Sequence, residues 1–145
     1  MERVLGWLGL AIGAWAVLPP YVGPELANLS AKVEIVDHVV PAVGIVLMSA
    51  ATLVRAARGG RQGGFPLVAG FVVALAGLWM VSTHLPLVKQ AVNDEAGVTT
   101  ASAAWHTVPG VVVLVLGVAW VAATWSGADT DAAPSTSRAA RAPRS

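Results

Sequence analysis

Apolar residues run along this chain in four long blocks separated by short polar stretches. Val4 to Val22 carries no charge, and His38 to Val54 carries none if His38 is neutral. Gly63 to Val88 and Ala96 to Ala128 are free of Asp, Glu, Lys and Arg. Each block reaches the roughly 17–25 apolar residues that a membrane helix needs. None alternates apolar and polar positions over short segments, so helices and not a β-barrel are the expected spanning form. The pattern predicts an all-α polytopic membrane protein with spans at about 4–22, 37–55, 64–85 and 104–125. The fourth block exceeds one crossing, which places its polar beginning (Thr99, Thr100, Ser102) outside the hydrocarbon.

The blocks pair into two copies of one hairpin. Gly13-Ala14-Trp15-Ala16-Val17 recurs as Gly77-Leu78-Trp79-Met80-Val81, and His38-Val39-Val40-Pro41 recurs as His106-Thr107-Val108-Pro109. The tryptophans are 64 positions apart and the histidines 68, which implies an insertion, mostly in the loop between the third and fourth blocks. Two hairpins of like orientation are expected to pack as parallel repeats about an axis along the membrane normal, with matching residues at matching depths.

The motifs carry a family likeness. A helix ends in Trp15-Ala16-Val17-Leu18-Pro19-Pro20, and a polar loop leads to Val36-Asp37-His38 and a Val- and Gly-rich helix containing Gly44. The second copy reads Trp79-Met80-Val81-Ser82, then Ala104-Trp105-His106 and Gly110. This arrangement resembles the SPW-repeat integral membrane proteins and covers residues 5 to about 125 as two copies. The Ser-Pro-Trp tripeptide itself is absent; Leu18-Pro19-Pro20 and Ser82-Thr83-His84 stand in its place. The resemblance implies a bacterial or archaeal membrane protein and a topology, but no activity.

Composition agrees with lipid as the solvent. Of the 145 residues 56% are hydrophobic and 12% charged, against about 25% charged in soluble domains. The net charge of +1 gives no footprint for nucleic acid, and the lack of cysteine excludes disulfides and thiolate metal sites. Arg3, Arg55, Arg58, Arg61, Arg138, Arg141 and Arg144 fall on one side of the predicted topology, and only Lys32 and Lys89 on the other. This bias places both termini in the cytoplasm and the chain in the plasma membrane. Trp7, Trp120 and Trp125 are then expected near the inner interface and Tyr21 and Trp105 near the outer one, with Trp15 and Trp79 as deeper packing residues. Arg3, the apolar run and Ala14-Trp15-Ala16 have the outline of a cleaved signal peptide. The match between the first and third blocks favours a retained span instead. Residues 1–127 form the predicted membrane domain. The Ala, Pro, Ser, Thr and Arg-rich stretch 128–145 is expected to be a disordered cytoplasmic tail.

The chemistry on offer is sparse. No Asp, Glu, Lys or Arg lies deep in a span, as ion pathways and proton relays usually require. Ser49 and Thr52 are expected to bond back to helix carbonyls. Gly6, Gly9, Gly13, Gly70 and Gly77 are expected to let helix backbones approach within the chain. The arginine- and glycine-rich segment 55–64 lacks the Lys-Ser/Thr ending of a phosphate loop and reads as a connector.

The histidines are the exception, because topology puts His38, His84 and His106 at one end, with Glu34, Asp37, Asp94 and Glu95 nearby. Three roles are open to them. As interfacial residues they can cap helices or bond a carbonyl freed by Pro41 or Pro109, which is the simplest reading. They can hold a divalent metal, or with less geometric support a haem. They can also sense protons. No His-x-x-x-His or Glu-x-x-His signature exists. The sequence therefore predicts an accessory or interaction module without catalytic activity or a cofactor, contacting lipid and a membrane-protein partner or a second copy. A metal- or cofactor-binding protein and a small-solute permease or channel are the alternatives.

Overall fold

The computed structural model describes residues 1–18, 35–59, 63–95 and 97–131, and every regular element among them is helical. The elements are α1 (Glu2–Ala16), a π-helical turn (Ile35–Val39) that runs into α2 (Val40–Ala57), α3 (Phe65–Val92) and α4 (Thr100–Asp131). Three stretches are long and apolar enough to cross a membrane: Val36–Ala57, Phe65–Val92 and Thr100–Ser126. Only 28–33% of each is buried, so a large apolar surface faces outward, as in helices that cross a membrane. Val43, Leu47, Phe71, Leu75, Leu78, Val115 and Val118 all point outward.

Helix ends depart from the expected span limits: α3 runs to Val92, beyond 85, and α4 begins at Thr100, before 104. The described part of α1 has 15 residues, about 22 Å of helix, short of the ~30 Å hydrocarbon core. The rest of the predicted first span, with Tyr21, lies outside the described residues. At the other end α4 runs past Gly127 to Asp131, so the first residues assigned to the tail continue the helix. Residues 132–145 lie outside the description.

Local chemistry explains the helix ends. Pro66 sits in the first turn of α3, where a missing N–H costs nothing. The Thr99 hydroxyl accepts the Ser102 N–H (3.1 Å) and caps α4. The reversal from α3 to α4 passes through Asp94 and Gly97, both at positive φ (56° and 68°).

α1 packs on α2 and α3 on α4; α2 also meets α3, and α1 meets α4. Glycines set the spacing. A Cβ on Gly6 would stand 2.7 Å from Leu53 Cγ, and one on Gly13 2.9 Å from Val46 Cγ2. On the other pair, a Cβ on Gly70 would stand 3.0 Å from Val121 Cγ2, and one on Gly77 would strike the Leu114 backbone. These glycines pack helices of the same chain, as expected.

The tryptophans differ in burial. Trp120 is fully buried, with its ring against Gly9 and its Cβ against Gly70, whereas Trp79 is half exposed. Gly9 on α1 and Gly70 on α3 leave room on the two helices that flank α4 there, and the Trp120 side chain fills it. Trp7 and Trp125 do face outward. Thr52 bonds back to the Met48 carbonyl (2.8 Å) as predicted, but Ser49 Oγ, buried beside Gly9, has no such bond.

Candidate metal centre

Each histidine sits within three residues of a proline, in positions His38/Pro41, His84/Pro86 and His106/Pro109. Pro41 cannot give the Asp37 carbonyl the N–H it would take in an α-helix. The π turn at Ile35–Val39, whose carbonyls reach one residue further, falls at that point and carries His38. His84 and His106 lie inside α3 and α4, each beside an internal proline. They are about 12 Å below Val92 and about 9 Å below Thr100 at 1.5 Å per residue.

The expectation of interfacial rings at separate helix ends is not met. All three rings are buried: His38 is 0% exposed, His84 4% and His106 6%. They converge. His38 Nε2 lies 3.0 Å from His84 Nε2, and one nitrogen from each of the three rings falls within 4.8 Å of the others. The His84 and His106 rings are nearly parallel (7°) with centroids 5.9 Å apart; His38 lies 4.6 Å and 5.8 Å from them, tilted by 59° and 56°. Among the described residues the group is made of imidazoles alone, without Asp37, Asp94 or Glu95; Glu34 lies outside the described residues.

Hydrogen bonds aim the nitrogens. His84 Nδ1 lies 2.6 Å from the Met80 carbonyl, one turn back in the same helix. A carbonyl only accepts, so Nδ1 carries the proton and Nε2 presents a lone pair to the cluster. Thr83 Oγ1, 3.1 Å from the same nitrogen, donates to the same carbonyl (3.2 Å). The Ala16 backbone lies near enough to the His38 ring to act on it. A backbone carbonyl behind an imidazole is the usual outer support of a metal-bound histidine, fixing its tautomer and orientation. With His84 Nε2 as the acceptor, a neutral His38 donates its Nε2 proton across the 3.0 Å contact. A metal ion would take the place of that proton.

Tetrahedral zinc with Zn–N near 2.0–2.1 Å needs nitrogens about 3.3 Å apart. The cluster already spans 3.0 Å to 4.8 Å, so its widest gap would close by about 1.5 Å on binding. A haem does not fit this arrangement. Rings with centroids 4.6–5.9 Å apart leave no space for a macrocycle between any two.

Sequence reasoning identified the three rings but missed their supports. The carbonyl behind His84 is that of Met80, four residues back, and not one freed by a proline. The Ala16 contribution comes from another helix and has no local signal. No protein-family model, curated protein or solved structure matches this chain.

Proposed function

We propose that this chain is a four-span membrane protein of two tandem hairpins that binds one transition-metal ion through His38, His84 and His106. The carrying observation is the convergence of three buried imidazole nitrogens within 4.8 Å of one another. Metal binding goes beyond a plain interaction module because three buried imidazole nitrogens at this spacing match the donor set of a transition-metal site. It is also favoured over permeation. By register Ile45, Met80 and Val113, all fully buried, form an apolar layer between the histidines and Ser49. Imidazole donors suit zinc, copper, nickel and iron.

The tandem reading, which is also what the SPW-repeat likeness implies, draws support from contacts and not only from letters. The Gly13–Val46 contact corresponds to Gly77–Leu114, and Gly6–Leu53 to Gly70–Val121, at the same offsets of 64 and 68 that relate the sequence motifs. Ala16 and Met80, whose backbones lie beside the His38 and His84 rings, are themselves 64 apart.

Elemental analysis of protein purified through a histidine-free tag tests the site. About one equivalent of metal is expected, falling to background when His38, His84 and His106 are all alanine. Wild-type protein that neither carries metal nor takes up zinc, cobalt, nickel or copper on titration would sink the reading. Orientation is testable separately. The chain has no cysteine, so Arg58→Cys introduces a single thiol. With the arginine-rich loop inside, an impermeant maleimide should label it only after lysis. Labelling on intact cells would reverse the topology.

A further inference from the structure

The helices pack as two pairs, α1 with α2 and α3 with α4, and the α2–α3 and α1–α4 faces between the pairs are the smaller ones. Contacts inside a pair also differ in kind from those between pairs. Within α3–α4 the backbones touch, because a Cβ on Gly77 or Gly117 would strike the backbone of Leu114 or Ala74. Within α1–α2, Gly6 and Gly13 let Leu53 and Val46 close onto α1. Between the pairs, a Cβ on Gly9 would stand 3.4 Å from Trp120 Cζ3, an ordinary contact with a side chain. In lipid no hydrophobic force draws such surfaces together, because the surrounding chains are as apolar as the side chains; close packing and polar links must do it. The histidine group is a polar link across this boundary. His38 comes from the first pair, His84 and His106 from the second, and His38 Nε2 meets His84 Nε2 at 3.0 Å.

We infer that the metal is the joint between the two helix pairs, so that its occupancy sets how α1–α2 sits against α3–α4. The inference rests on the metal reading above. It needs His38 on one side and His84 with His106 on the other, and it holds whatever else completes the coordination. A bound ion fixes the three nitrogens about 3.3 Å apart and so fixes the first pair to the second. Without the ion, the boundary keeps Trp120 in its gap and the single contact from His38 to His84. That side-chain boundary gives before the backbone-packed α3–α4 pair does.

The chain has no cysteine, so pairs of thiols can carry nitroxide labels in the full chain in detergent. Val43→Cys with Val111→Cys spans the two pairs; both residues are exposed and lie 68 positions apart, the offset of the histidines. Leu78→Cys with Val111→Cys stays within α3–α4, and Leu78 is exposed too. Pulsed electron resonance reads each distance with a chelator and at saturating zinc, and elemental analysis of the same samples reads zinc uptake. Removing zinc should shift the Val43–Val111 distance by about 1–2 Å, the scale of helix shifts at interfaces, and broaden its distribution. The Leu78–Val111 distance should not change. His38→Ala keeps both imidazoles of the second pair, and at the same zinc concentration it should show the zinc-free Val43–Val111 distribution. Labelled protein that takes up no zinc would overturn the metal reading and this inference with it. Bound zinc that leaves the Val43–Val111 distance unchanged, or moves both distances alike, would overturn the joint alone. A zinc response that survives in His38→Ala would overturn the assignment of His38 as the link.

Discussion

Alanine in place of Gly77 is expected to destabilise the protein by about 1–3 kcal/mol, the usual range for overpacking a close contact. The added methyl would strike the Leu114 amide nitrogen and lie 2.6 Å from its Cα. Both are backbone atoms, so no rotamer change relieves the overlap and α3 must move away from α4. Gly44→Ala is the matched control. Nothing lies within 4 Å of a Cβ there, so the same chemical change should stay within about 0.5 kcal/mol of wild type. Unfolding in mixed micelles would compare the two. Equal effects would mean that the glycines are not what sets the helix spacing.

The Gly77 effect should reach the histidines. One turn toward the site, a Cβ on Gly110 would stand 2.8 Å from Met80 Cβ. Met80 is the residue whose carbonyl holds His84, and Gly110 lies one turn from His106. Close approach of α3 and α4 at Gly77 and Gly110 is therefore what allows the His84 and His106 rings to stack. A Gly77→Ala protein that still folds should bind metal more weakly than Gly44→Ala.

These contacts mark where the sequence stops being informative. Long uncharged runs reveal three crossing helices because burying so many apolar residues requires either lipid or a much larger core. The repeat is visible because copies of one hairpin keep their Trp and His-x-x-Pro landmarks. Burial within a lipid-facing helix is another matter. Its inner and outer faces are both apolar, so Trp79 and Trp120 look alike as letters and differ only in the gap that Gly9 and Gly70 leave. Convergence of the histidines was hidden for a related reason. The rings come from three elements far apart in the chain, so no local spacing could announce them. Repeat symmetry relates His38 to His106, but the counterpart of His84 in the first copy is Pro20. The ring that completes the cluster breaks the symmetry that made the other two legible.

His84 should accordingly be the most sensitive single position for metal binding. Structural zinc sites give roughly 10–16 kcal/mol over four ligands, so one imidazole contributes about 2.5–4 kcal/mol, or roughly 10²–10³-fold in affinity. His84→Ala removes that ligand and leaves His38 Nε2 without its neighbour at 3.0 Å. Thr83→Val removes only the hydroxyl that shares the Met80 carbonyl, and the bond from His84 Nδ1 to that carbonyl remains. Its cost should stay within about tenfold, the lower end for an outer-shell change. Thermal unfolding in detergent separates the two. At a metal concentration 100 times its Kd, the wild type gains about 2.7 kcal/mol. Thr83→Val should keep most of that gain, and His84→Ala should keep almost none at the same concentration. A His84→Ala protein stabilised by metal as strongly as wild type would show that the ring is not a ligand, and that its bond to Met80 only holds a histidine in the core.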